Sequence, residues 1–336
     1  MSTRVGRCHS AILGILLFLA SGHLQGQISI SPLLIPKLTT GGPARTSDPA
    51  SPAVLFGVGD IGWCADIAGT HATGALMECL LDATPGSIGF TVGDNSNDTG
   101  SEDDYGCLDK TPWGRLASRL LTVPGNHDYE HDAIQPYYLL YFLKAGGPQG
   151  HGYYSYDVGG WHVLALNSEL MRNTPVMHER RHAQLDWVAR DLREHPAECT
   201  LAYFHRPPFS SGKFASPAWV MPLFDRLYRA GVDLLITGHE HFFAAYPPLD
   251  QHGAIDEAFG IEMLTVGTGG APFFNDPHKR KYHEMLLPRV LGVVTVTLAP
   301  GRFDWAFIDT EEKTPRFATG RELSGHGTCH RPPATS

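Results

Sequence analysis

The sequence predicts an α/β fold: two mixed sheets packed face to face with helices outside, an α/β/β/α sandwich. Short apolar runs of strand length recur along the chain, and each ends in polar residues. Helical periodicity fills gaps between them, which implies largely parallel pairing with covered faces. Other stretches read as hairpins and successive strands, so antiparallel strands must join the parallel ones.

In chain order, the strand-like runs are "AVLFGVGD" to Asp60, "SIGFTVGD" to Asp94, "RLLTVPGNHD" to Asp128, "CTLAYFH" to His205 and "VDLLITGHEH" to His241. A helix is expected in "ERRHAQLDWVARDLREH", where Leu185, Val188 and Leu192 share a face and Asp186 is spaced to pair with Arg190. A second is expected in "PAWVMPLFDRLYRAG", stopping at Gly231. The hairpin and strand stretches are "GYYSYDVGGWHVLALNS", "IEMLTVGTGG" and "VLGVVTVTLAPGRFDWAFID". The stretch "FFAAYPPLDQHGAIDEAFG" is expected to be a loop that shapes a pocket. No internal repeat is visible.

With 336 residues and 42% hydrophobic content, the chain can bury one large core, and a single domain with end segments fits. Its 26 basic against 35 acidic residues leave a formal charge of -9, without a Lys/Arg cluster to act as a nucleic-acid footprint. Residues 1–26 place Arg4 and Arg7 before an apolar run from Ala11 to Ala20, the order of a cleavable signal peptide. That run is too short for a stable membrane span. The expected location is therefore secreted or periplasmic. Residues 27–52 read as a linker or wrapped arm, 53–310 as the folded domain, and 311–336 as a poorly ordered tail.

Loss of the signal would remove Cys8 and leave five of the 6 cysteines, so one thiol is expected to be free or to pair between chains. Cys64 and Cys107, each a few residues past a strand-end motif, are a candidate bridge. Cys329 with His326 and His330 is expected to lie in the solvated tail.

Ligands of open α/β sheets collect outside the carboxyl ends of strands, and all five polar clusters sit at such ends. They supply Asp60, Asp94, Asn126, His205, His239 and His241, a mixed oxygen and nitrogen set suited to Zn, Fe or Mn rather than a thiolate site. The set is too large for one ion. It suggests two metals roughly 3.5–4 Å apart, an arrangement that activates water and clamps a phosphoryl group. Gly93, Gly125 and Gly238 precede ligands as expected turn formers.

The series "GDIG", "GDN", "GNHD", "H" before "RPPF", and "GHEH" resembles that of the calcineurin-like metallophosphoesterases, most closely the purple acid phosphatase branch in its secreted bacterial form. The resemblance spans about residues 53–275. It implies the four-layer sandwich of that superfamily and hydrolysis of small phosphate monoesters by a metal-bound hydroxide. Phosphodiesterase or nucleotidase activity on the same site is the alternative, as is a catalytically weak phosphate- or metal-binding homologue. Carried over by position, Asp60 and His241 bind the first metal, Asp94 bridges, and Asn126, His205 and His239 complete the second. His127 is the expected general acid and Asp128 the carboxylate that holds its ring. Arg206 and Asn95 are candidate phosphate contacts.

The chain departs from the resembled branch at one ligand. Gly62 stands two residues after the first aspartate, as in purple acid phosphatases, but Asn97 occupies the place of their metal-binding tyrosine. Asn97 is a candidate replacement ligand, with water, Asp98 or His71 as alternatives. Without a phenolate, no purple charge-transfer band and a weaker first site are expected. Asn97-Asp98-Thr99 also matches a glycosylation acceptor, expected to be unused.

Overall fold

The computed structural model describes residues 51–131, 151–214, 217–274, 282–311 and 323–330. The expected signal peptide, all but the end of the expected arm, and much of the expected tail lie outside the described residues.

Strand β1 (Ala53–Val58) leads through helix α1 (Ala68–Ala83) to β2 (Ile88–Val92). Two short helices, α2 (Glu102–Leu108) and α3 (Pro112–Leu116), precede β3 (Leu120–Val123). The hairpin β4 (Tyr154–Val158) and β5 (Trp161–Ala165) follows, then α4 (His178–Glu194), β6 (Cys199–Tyr203), α5 (Met221–Ala230) and β7 (Leu234–Thr237). The remaining strands are β8 (Phe242–Leu249), β9 (Ile261–Val266), β10 (Met285–Pro288), β11 (Gly292–Ala299), β12 (Arg302–Asp309) and β13 (Ser324–Thr328).

They form a 6-stranded sheet in the order β13-β12-β11-β1-β2-β3 and a 7-stranded sheet in the order β10-β8-β9-β7-β6-β5-β4. Strands β1, β2 and β3 are parallel in the first, and β5, β6, β7 and β9 in the second. Parallel neighbours send their carboxyl ends to one edge. All five expected strand-end motifs therefore leave the two sheets together.

Aromatic rings cross the space between the sheets: Phe90 of β2 meets Tyr203 of β6 at 4.9 Å between centroids, and Phe243 of β8 meets Phe307 of β12 at 4.5 Å. The Trp161 indole nitrogen also donates to the Ala299 carbonyl at 2.8 Å. A second apolar cluster joins the outward residues of the 7-stranded sheet, such as Leu235 and Met263, to Val188 of α4 and Phe224 and Leu227 of α5. The expected four-layer sandwich is the one observed.

Both named helices form where periodicity placed them. Helix α5 ends with Gly231 left-handed at φ 75, as a glycine stop requires. The stretch from Phe242 is different: it makes strand β8, antiparallel to β9, rather than a loop. Its Phe243 and Ala245 face the inter-sheet core while Phe242, Ala244 and Tyr246 face the other cluster. Pro247 and Pro248 coincide with a register shift between Tyr246 and Leu249.

The tail also differs from expectation. Residues 324–328 add an edge strand to β12, Cys329 is disulfide-bonded to Cys199, and His330 Nδ1 lies 2.8 Å from Asp233. Together these hold the chain end against the 7-stranded sheet. The Cys64–Cys107 bridge is formed, with Cα atoms 6.1 Å apart. No described cysteine is a free thiol in the full-length chain, Cys79 included.

Candidate metal centre

Asp60 and Asp94 follow β1 and β2 directly and are 0% and 1% exposed. Both adopt left-handed backbone, with φ 60 and 49, which turns their carboxylates back across the strand ends. Gly93 allows the second turn: it has φ 93, and a Cβ there would stand 2.7 Å from the His205 ring. Gly125 acts by closeness, since a Cβ would meet the Asp94 carboxylate at 2.1 Å. Bulk at either position would push a ligand aside.

Asp94 Oδ1 accepts the His127 backbone N–H at 2.9 Å, and Oδ2 lies 3.2 Å from His205 Nε2. Burial alone would raise this carboxyl, yet the imidazoles of His205, His127 and His239 hold it far below the usual range. His205 Nε2 also lies 3.2 Å from Asn126 Oδ1, while its Nδ1 donates to the Val92 carbonyl at 3.0 Å. Burial disfavours charge on His205, but Asp94 dominates and pushes the ring up to about 9.

His241 is arranged the same way. Its Nδ1 donates to the Pro272 carbonyl at 2.5 Å, and Nε2 lies 3.3 Å from Asp60 Oδ1. Asp60 Oδ2 accepts the His239 backbone N–H at 2.9 Å. His205 and His241 thus both commit the far nitrogen to a carbonyl and aim Nε2 at a carboxylate, the orientation that prepares a histidine as a metal ligand. Atoms of Asp94, His205 and His239 that could ligate lie within 4.8 Å of one another.

The residues present fit a pair of cations. Asn97 Oδ1 is buried without a hydrogen-bond donor among the described residues, and such an orphan costs about 1–3 kcal/mol unless something fills the gap; buried Asp60 Oδ1 faces only the His241 ring, at 3.3 Å. Asn97 is 7% exposed, which also closes its glycosylation motif to a glycan. The alternatives at this position are less available: Asp98 Oδ2 accepts the Cys64 N–H at 2.8 Å, and His71 is exposed.

His239 shows a conflict. Arg206 Nη1 donates to its Nε2 at 2.9 Å, and a neutral imidazole has a single lone pair to offer. Arg206 must release this contact before His239 can ligate.

Three candidate residues take other partners in the structure. Asp128 does not hold the His127 ring. It is 0% exposed and accepts the N–H groups of Gly125 at 2.7 Å, Asn95 at 3.2 Å and Ser96 at 3.2 Å, with the Tyr105 hydroxyl. Burial and the Asp94 charge push it up to about 6. It ties the turn after β2 to the turn after β3. The His127 ring instead donates from Nδ1 to the Asp98 carbonyl at 2.7 Å, with Glu130 at 3.0 Å.

Asn95 is 0% exposed and spends its side chain on Val123 O, Asp128 and Thr91, so nothing remains for a substrate. Arg206 donates from Nε to Glu169 at 2.8 Å with its guanidinium 5.5 Å over Trp219, and its Nη1 is the donor set free when the His239 contact is released.

Glu169 and Glu240, both 0% exposed, escaped the motif reading. Glu240 Oε1 accepts from Ser210 Oγ at 2.5 Å and from the Phe214 N–H at 3.1 Å, anchoring the "FSSG" turn to "GHEH". A carboxylate between two ligand histidines was the available signal. Beyond that anchor, Phe214 lies 5.0 Å from the His239 ring and Phe274 stacks on His241 at 4.1 Å.

A family model described as calcineurin-like phosphoesterase matches residues 56–243, more than half of the chain, and the chain belongs to that family. Membership implies a two-metal centre, which the donor set fits. Purple acid phosphatase 21 of Arabidopsis thaliana is 28% identical over 178 residues, 47% of this chain and 39% of the relative. Purple acid phosphatase 23 of the same plant is 26% identical over 192 residues, 50% and 40% of the two chains. This chain therefore spans less than half the length of these curated relatives. Among solved structures, a purple acid phosphatase, PPD1, from yellow lupin (Lupinus luteus) seeds superposes with a TM-score of 0.62 at 17% identity, over 85% of this chain and 57% of that one. A dimetal phosphatase from Danio rerio gives 0.55 at 13% identity, over 84% and 100%. These likenesses show the shared fold.

Proposed function

We propose that the protein is an exported two-metal hydrolase of small phosphate monoesters. The observation that carries the reading is the matched setting of His205 and His241, each donating Nδ1–H to a backbone carbonyl and turning Nε2 to Asp94 or Asp60. Asp60, His241 and Asn97 would hold one ion, and Asn126, His205 and His239 the other, with Asp94 between them. When bound, such a pair supplies an activated water and neutralises phosphoryl charge.

The chain's own residues supply the rest. The His127 N–H fixes Asp94. The His127 ring keeps its Nδ1 hydrogen on the Asp98 carbonyl, so Nε2 is the nitrogen left to carry a proton to the leaving oxygen. Burial lowers the proton affinity of this ring, but Asp94, the Asp98 carbonyl and Glu130 raise it overall, which keeps the acid form available. Phe214 and Phe274, partly exposed against the ligand histidines, limit water around the reacting group.

Monoester preference is supported by the curated relatives being phosphatases by name. Export is supported by the signal-like N-terminus and by the disulfides, which persist in oxidising compartments. The test is turnover of p-nitrophenyl phosphate and bis(p-nitrophenyl) phosphate by metal-stripped protein reloaded with Mn²⁺, Zn²⁺ or Fe. Monoester hydrolysis is expected to fall at least about 10³-fold in Asp94→Asn. Folded protein inactive with every metal would overturn the reading, and faster diester turnover would overturn the monoester assignment.

A further inference from the structure

A second cluster of metal-capable side chains lies at the opposite end of the 7-stranded sheet. His162 of β5 pairs with Thr200 near the start of β6, whereas His205 follows the end of β6, roughly 16 Å away along the strand. His162 is 1% exposed. Its Nδ1 lies 2.8 Å from Asp157 Oδ1 and its Nε2 lies 2.9 Å from Asp191 Oδ2.

Asp191 projects from α4, is 6% exposed, and accepts Ser155 Oγ on Oδ1 at 3.0 Å. His195, the residue that ends α4, places its ring 5.2 Å from the His162 ring at an interplanar angle of 6°. Its Nδ1 lies 3.4 Å from Asp191 Oδ1. Ligand atoms from His162, Asp191 and His195 all lie within 4.8 Å of one another.

We propose that His162, Asp191 and His195 form a separate site for one divalent ion of the zinc class. Two imidazoles and a carboxylate are a donor set for Zn²⁺, with a water in the fourth position. Asp157 stands behind His162, where a carboxylate can keep the Nδ1 hydrogen and free Nε2 for a metal. The site lies at the carbonyl end of α4, which favours positive charge. The His195 side chain is 42% exposed, giving the ion an approach that the buried pair alone does not.

The geometry asks for little movement. Tetrahedral ligands of one zinc, each 2.0–2.1 Å from it, stand about 3.4 Å apart. Ligand atoms now within 4.8 Å of one another therefore close by about 1.5 Å at most. The His195 Nδ1 hydrogen stays on the Asp191 carbonyl at 3.0 Å, leaving its Nε2 for the ion, and the metal displaces the hydrogen between His162 Nε2 and Asp191. The ion would staple β5 to the end of α4, four residues before Cys199 and its disulfide. The opposing arrangement is a metal-free imidazolium clamped between Asp157 and Asp191.

The test loads chelator-stripped full-length protein with Zn²⁺ alone and counts bound zinc by elemental mass spectrometry after desalting. Wild type is expected to hold one more zinc per chain than His195→Ala. Asp94→Asn, altered in the other centre, is expected to lose a further zinc when His195→Ala is added to it. Asp157→Asn keeps all three ligands and is expected to weaken the extra site about 10–100-fold. Co²⁺ substitution should give a visible d–d band in Asp94→Asn that weakens in the double variant. Equal zinc counts with and without His195→Ala, or a count unaffected in both backgrounds, would overturn the site in favour of the clamp.

Discussion

Three ligand positions, Asp60, Asp94 and His239, are non-glycine residues with φ of 60, 49 and 71. Left-handed backbone costs a non-glycine residue about 1–3 kcal/mol and persists where the surroundings over-determine it, although Asp and His tolerate it better than most. Here the Asp94 turn is held by the His127 N–H and by Asp128 beneath the next residue. The strain belongs to the job of turning carboxylates into the cleft. At the same scale, His127→Ala is expected to lower kcat about 10²–10⁴-fold. The loss should be larger for an alkyl phosphate than for p-nitrophenyl phosphate, whose leaving group needs no proton, and steady-state kinetics on both substrates would show it. Asn97, with its buried unpaired Oδ1, carries a second expectation. Iron-loaded protein should show no strong visible absorption, and Asn97→Ala should release one ion at a lower chelator concentration than wild type does, as read by metal analysis after mild dialysis.

Among the elements, the chain-end clasp is the feature with the largest mechanical reach. Strand β13 is a short edge strand with two glycines among its residues, poor material for holding itself in place. The Cys199–Cys329 disulfide closes a separation of 130 residues, and His330, its proton affinity lowered by burial but raised overall by Asp233, adds an ion pair on the same spot. Cross-linking a loop of that size stabilises by about 4–5 kcal/mol if it acts on the unfolded chain. Cys199→Ser/Cys329→Ser is therefore expected to unfold at a distinctly lower urea concentration than wild type. Guarding the other disulfides by working without reductant makes the comparison clean. A matching midpoint would show that the clasp holds only itself.

At the scale of the whole molecule, the proposed metal centre would join the two sheets. Asp60, Asp94 and Asn126 come from the ends of β1, β2 and β3 in one sheet, while His205, His239 and His241 follow β6 and β7 in the other. Ions bound there add to the aromatic contacts between the sheets as a cross-link at one edge. A ligand that binds the folded state alone stabilises it by about 2.7 kcal/mol at a hundred times its Kd. Stripping the metals should thus lower the melting temperature, and restoring Zn²⁺ or Mn²⁺ should raise it in a concentration-dependent way. The same titration on Asp94→Asn should show a reduced response. Calorimetry on the three samples would measure the difference, and a wild-type midpoint unmoved by chelation would contradict a cross-linking role.

Much of this was legible in the chain because local rules carry it. The runs ending at Asp60, Asp94, His205 and His241 are short and β-rich, all but the third punctuated by glycine, and strands with parallel neighbours gather their ends at one edge whatever the details of packing. Residue type and order therefore determined the sandwich and the six residues proposed as ligands. What local rules do not contain is distance between side chains far apart in sequence. Asp128 follows His127 directly, yet its carboxylate turns inward to the N–H groups of residues 95, 96 and 125 because a buried charge needs donors more than it needs its neighbour. Arg206 goes to Glu169 for the same reason. Strand β8 forms despite two prolines because an open edge of β9 is there to pair with it. The pairing of Cys199 with Cys329, and the meeting of His162, Asp191 and His195, likewise exist through the fold alone. The sequence by itself determined which donors reach the cleft; the tertiary structure decided which partner each one takes, since burial forces every charge and N–H to be satisfied by whatever the fold brings within reach.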